Sequence, residues 1–206
     1  MLNQLFFSGK LKARLLRGHR RAIWAWRWRN FWRWPFLWGR LANSLAAIFT
    51  RLTGVPTITS ELRAVLMRAG QSIDYGLVAR RVVTDAGVAF LVDDWDNDAQ
   101  NITTMNFHAS GTGAVAEAVG DTALGAEATT ITDRATGTKS QPTANQLRSV
   151  GTQAFTGTGA ITEHGLLSSV TEGAGTLWDR SVFAAINVVN GDSIQWTYTC
   201  TVNSGG

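Results

Sequence analysis

The sequence predicts a mainly β protein: an antiparallel β-sandwich or jelly-roll-like body carrying an α-helical, Trp- and Arg-rich N-terminal arm. Two observations lead there. Near the C-terminus, Ile194, Trp196, Tyr198, Cys200 and Val202 alternate with Ser193, Gln195, Thr197, Thr199 and Thr201, the period-2 pattern of a half-buried strand. The charge also divides sharply near Pro56. Residues 1–60 hold eleven Lys and Arg, six Trp and no acid, whereas the remainder holds eight bases against fifteen acids. The net +4 is thus the sum of +11 and −7. The expected organisation is a basic aromatic arm, 1–55, and an acidic β-rich body, 56–206, long enough to bury its own core.

Taken in order, the arm reads as two amphipathic stretches. Trp24, Trp28, Phe31 and Trp32 recur at helical spacing, with Arg29 and Arg33 on another face, and Pro35 interrupts them. Leu37, Leu41, Leu45, Ile48 and Leu52 then form one stripe, closed by Gly54 and Pro56, residues that stop helices. The uncharged stretches between Arg33, Arg40 and Arg51 are far shorter than the ~20 residues of a spanning helix. The long Arg/Trp tract and the lack of a small-x-small cleavage site argue against Sec export.

Within the body, Ser60 and Gly70 bracket a short expected helix over Glu61–Met67. Leu77–Thr84 and Val88–Val92, around Asp85-Ala86-Gly87, are expected to form a first hairpin. Further strands are expected at Ala128–Ile131, Gln146–Phe155 and Ala160–Leu167. A terminal hairpin is expected from Ser181–Val189 and Ser193–Val202 around Asn190-Gly191-Asp192, an Asn-Gly signal.

Chemistry-bearing groupings are sparse. Asp94, Asp96 and Asp98 alternate near Trp95 and could offer oxygens to Ca²⁺, but the glycine and terminal glutamate of a calcium loop are missing, so a solvated acidic loop is the plainer reading. His108 and the Glu163-His164 pair lack an identified nucleophile. Gly111-Thr112-Gly113 lacks the Lys-Ser/Thr of a phosphate loop and reads as a turn. Cys200 is a lone cysteine, read as a buried strand residue. No cofactor and no enzymatic activity are expected.

Several ordered motifs carry a family resemblance: Asn106–Gly113 with Glu117 and Asp121–Leu124, Arg134–Thr138, Ala160–Leu166, Leu177–Phe183, and Ala185–Ile194. Over roughly 61–206 the chain resembles a group of uncharacterised tailed-bacteriophage virion structural proteins. That resemblance implies a small β-rich virion component, either capsid decoration or fibre-like, without known enzymatic activity. The arm departs from it.

The resulting expectation is a decoration or cement protein made in the host cytoplasm and placed in the virion. Its arm would bind the major capsid protein or other virion subunits through Trp24, Trp28, Trp32, Arg29 and Arg33, with Leu37, Leu41 and Leu45 packing between chains. A homotrimer is favoured, since symmetric association protects strand edges. Three alternatives remain: a head- or tail-fibre component contacting the host surface, a membrane-active protein whose arm lies in a lipid interface, and a less favoured nucleic-acid clamp. Two plainer readings of the arm are a solvated charge run and biased, GC-rich translation upstream of the true start.

Overall fold

A computed structural model describes residues 55–80, 82–97 and 101–204. They form a mainly β body of two antiparallel five-stranded sheets with one α-helix. The first sheet contains β1 (Thr57–Arg68), β2 (Gln71–Ala79), β6 (Thr138–Ser140), β7 (Gln146–Ala154) and β10 (Ser193–Asn203), in the order β2-β1-β10-β7-β6. The second contains β3 (Val82–Val83), β4 (Phe107–Gly111), β5 (Ala135–Thr136), β8 (Gly159–Leu167) and β9 (Leu177–Val188), in the order β3-β9-β8-β4-β5. The helix α1 spans Asp85–Asn97 between β3 and β4. The proposed arm helices lie outside the described residues.

One hydrophobic core joins both sheets. Leu62, Ala64 and Leu66 of β1 and Ile194, Trp196, Tyr198 and Cys200 of β10 cluster with Ile161 and Leu166 of β8, Trp178 and Ile186 of β9 and Phe90 of α1. Burying a large apolar side chain is worth about 1.5–3 kcal/mol, so this shared cluster is the main force holding the sheets together. The alternation expected of β10 is present, except that Val202, near its end, is exposed.

Four local expectations are corrected. Glu61–Met67 is strand, not helix, because Ser60, Leu62, Ala64 and Leu66 all point inward at period 2 while β10 pairs with β1 from Thr57 to Met67. Short apolar runs fit either period, and pairing decides between them. Gly70 does adopt positive φ, but as a hairpin turn: Ala69 (φ 48°) and Gly70 (φ 77°) link β1 to β2, the paired left-handed geometry of a tight hairpin.

The expected hairpin around Asp85-Ala86-Gly87 is instead the first turn of α1. Thr84 caps it, its Oγ1 accepting from Gly87 N at 3.0 Å and donating to Leu177 O at 2.5 Å. Gly87 serves close approach here and not a turn. A Cβ at that position would lie 2.8 Å from Trp178 O. The expected acidic loop is therefore partly the last turn of this helix.

Ala128–Ile131 forms a turn, with Ile131 N donating to Ala128 O. The strands expected at 146–155 and 160–167 are β7 and β8. The expected terminal hairpin is not formed: β9 and β10 are both present, but they belong to different sheets. Asn190-Gly191-Asp192 thus arches from one sheet to the other. The arch is held by Gly191 N donating to Phe155 O and Phe155 N donating to Asp192 O. Buried Asp192 also accepts from Arg68 Nη2 at 2.6 Å and Val189 N at 2.8 Å.

Candidate functional site

The interior contains a polar seam that hydrogen-bonds the two sheets. A bulge in β8 between Ile161 and Glu163 turns Thr162 and Glu163 outward together and returns His164 to the inner face. There His164 Nε2 lies 2.9 Å from His108 Nδ1, and His108 Nε2 lies 2.9 Å from Ser149 Oγ on the opposite sheet. Alongside, Ser110 Oγ donates to Gln153 Oε1 at 2.6 Å, and Trp196 Nε1 donates to the same oxygen at 2.9 Å. Gly151 is required by this packing, since a Cβ there would lie 2.5 Å from the His108 ring.

Burial holds both imidazoles neutral. It pushes His108 down to about 3, and it drives His164 well below the usual histidine range with help from the neighbouring His108. His164 Nδ1 is buried without a hydrogen-bond partner.

A second cross-sheet group surrounds Asp179. Ser60 Oγ donates to its Oδ2 at 2.6 Å and Ser181 Oγ to its Oδ1 at 3.1 Å, while Trp178 Nε1 donates to Tyr198 OH at 2.8 Å. Burial raises the Asp179 carboxyl to about 7, despite the hydroxyl hydrogen bonds that favour its charged form.

On the outer face of β8, Glu163 latches the segment that follows β4. Its carboxylate accepts from Gly113 N (2.9 Å), Gly125 N (2.9 Å) and Ala126 N (2.7 Å) and pairs with Arg180 at 2.7 Å. Burial is the largest single influence and would raise this carboxyl, but the N–H donors of Ala126 and Gly125, the Arg180 guanidinium and Gly113 together hold it below its usual range. Arg180 also reaches Asp121 Oδ2 at 2.8 Å. Buried Arg134 does equivalent work nearby, pairing with Glu127 and donating to the carbonyls of Ser169, Thr171 and Ala174.

The outward-facing chemistry gathers on α1. Val88, Val92 and Trp95 recur at i, i+4 and i+7, and they are 43%, 51% and 77% exposed. This spacing places them on one stripe. Asp93 and Asp96 are also exposed. Helical rotation of 100° per residue sends Asp94 and Asp96 to well-separated faces, and Asp94 Oδ1 accepts from Ile102 N at 3.3 Å. Asp98 lies outside the described residues. Among the described residues, no group of three or more His, Cys, Asp or Glu could hold a metal, and no helix is long and apolar enough to cross a membrane. The proposed partner-binding residues Trp24, Trp28, Trp32, Arg29, Arg33, Leu37, Leu41 and Leu45 lie outside the described residues.

Sequence reasoning missed both the joining of His108 to His164 and the Glu163 latch. Neither contact has a sequence spacing that announces it, being separated by 56 and about 40–50 residues. The stripe on α1 was readable from its spacing, had the segment been recognised as helix. No family model matches the chain, and no curated protein and no solved structure matches it.

Proposed function

We propose that this chain is a structural component of a tailed-bacteriophage virion, a capsid decoration or cement protein. Its acidic body, with the two sheets stacked as a β-sandwich, sits on the shell, and its cationic arm, 1–55, anchors it to the major capsid protein and neighbouring subunits. Trp24, Trp28, Trp32, Arg29 and Arg33 provide the anchoring contacts, and Leu37, Leu41 and Leu45 pack between chains of a homotrimer. Such use of Trp and Arg follows their high share of interface binding energy.

One observation carries this reading. The groups best suited to acid–base chemistry, His108, His164, Glu163 and Asp179, are all buried and committed to contacts between strands or with the 112–126 segment. That arrangement supports rigidity and display in preference to turnover, and the net acidic charge of the body complements an arm of the opposite sign. Deleting residues 1–55 tests the anchoring: the truncated chain is expected to remain folded and soluble but to fail to join particles. Normal incorporation of the truncated chain would reject the proposal.

A further inference from the structure

The apolar stripe of α1 is set in a strongly acidic helix. Asp85, Asp93, Asp94 and Asp96 are its only charged residues, three of them near the C-terminal end, where no base is present. The C-terminus of a helix already carries partial negative charge, so carboxylates there are unfavourable and a cation brought to them is favoured. Trp95, the most exposed member of the stripe, presents a ring face on which a guanidinium can stack. The surface therefore asks for a partner that is apolar along one side and cationic along another.

The chain itself contains a segment of that chemistry. Residues 24–33 carry Trp24, Trp28 and Trp32 at offsets 0, 4 and 8, together with Arg27, Arg29 and Arg33 and no acid. From this charge and spacing complementarity we infer that the exposed face of α1 is the acceptor for the arm of a second copy, with Asp93 and Asp96 receiving arm arginines and Val88, Val92 and Trp95 receiving its tryptophans. The inference rests on the anchoring role proposed for the arm and names the surface that receives it.

A charge swap in the full chain tests it. Self-association is measured by sedimentation velocity across a concentration series at low and high salt, for Asp93→Arg/Asp96→Arg, for Arg29→Glu/Arg33→Glu, and for the two combined. Thermal unfolding verifies that each variant folds. Each separate reversal is expected to weaken association at least about tenfold, and the combination to restore most of it, with salt weakening the wild type. Unchanged association in Asp93→Arg/Asp96→Arg, no recovery in the combination, or association independent of concentration would overturn the inference. The anchoring proposal is separately readable: if arm reversal abolishes particle incorporation and helix reversal does not, the arm anchors elsewhere and only this acceptor surface is wrong. Indifference of incorporation to deletion of the arm would remove both.

Discussion

His108 Nδ1 and His164 Nε2 face one another at 2.9 Å on adjacent strands, in a site where burial keeps both rings neutral. One nitrogen must donate and the other accept. If His108 Nε2–H donates to Ser149 and His164 Nε2–H donates to His108, the nitrogen left over, His164 Nδ1, carries only a lone pair. That chain of donors avoids burying an orphan N–H, the rarer and costlier defect. Neutral pairing thus allows this contact to be buried on the inner face of the second sheet, where His108 also reaches Ser149 of the first.

Acid should loosen this contact. The His108 pKa is depressed to about 3 from its ordinary 6.5, so the folded state binds fewer protons than the unfolded state between those values. The associated stability is complete above about pH 6.5 and is lost as pH falls towards 3. The advantage of the wild type over His108→Gln, measured by urea unfolding, is expected to shrink by roughly 2–3 kcal/mol between pH 7.5 and 4.5. A pH-independent difference contradicts this.

Asp179 should show the opposite trend. Its pKa is raised to about 7 from 3.8, so the folded state binds more protons across that window and the penalty for the charged form grows as pH rises through it. Asp179→Asn is therefore expected to gain on the wild type by roughly 4 kcal/mol between pH 4 and pH 8. Paired urea titrations at the two pH values measure the gain directly, and a parallel response of the two proteins excludes the assignment.

The Glu163 latch predicts a large local effect. Glu163→Gln leaves buried Arg180 with one carboxylate partner, Asp121, and turns an amide donor towards backbone donors. Loss of one partner from a buried pair typically costs about 3–5 kcal/mol. Gly113→Ala should also destabilise, because its Cβ would lie 2.4 Å from Glu163 Oε1. Both variants are expected to be cleaved by protease within 114–120 faster than the wild type, and unchanged cleavage would show that the latch does not hold this segment.

Cys200 should be inert in the folded protein. Burial, with the nearby Asp179 charge, pushes its thiol up to about 12, leaving almost no thiolate at neutral pH. A thiol-specific chromogenic reagent is expected to react at the rate of unfolding, and reaction within seconds under native conditions would contradict the buried placement.

Sequence legibility followed the range of the interaction that decides each element. Strand β10 was readable because its alternation is local and persists from Ile194 to Cys200, whereas the inward residues of β7 are Ser149, Gly151 and Gln153 and β8 is bulged, so neither of those strands alternates in hydrophobicity. Glu61–Met67 was ambiguous because Leu62, Val65 and Leu66 also satisfy helical spacing, and only pairing with β10 removes the ambiguity. Asn190-Gly191-Asp192 carries a hairpin signal, yet β10 finds its partners in β1 and β7, the cross-sheet arch being stabilised by Arg68 of β1 and by Phe155, which follows β7. The polar seam was invisible for the same reason. Its members are ordinary residues until two sheets meet.

Quantitative mass spectrometry of purified virions, counting this chain against the major capsid protein and searching for peptides of residues 1–55, addresses the proposed role most directly. Copy numbers comparable with the major capsid protein are expected, with arm peptides present. Absence of the chain from clean particles would contradict it, and a count of only a few copies per particle would contradict decoration of the shell.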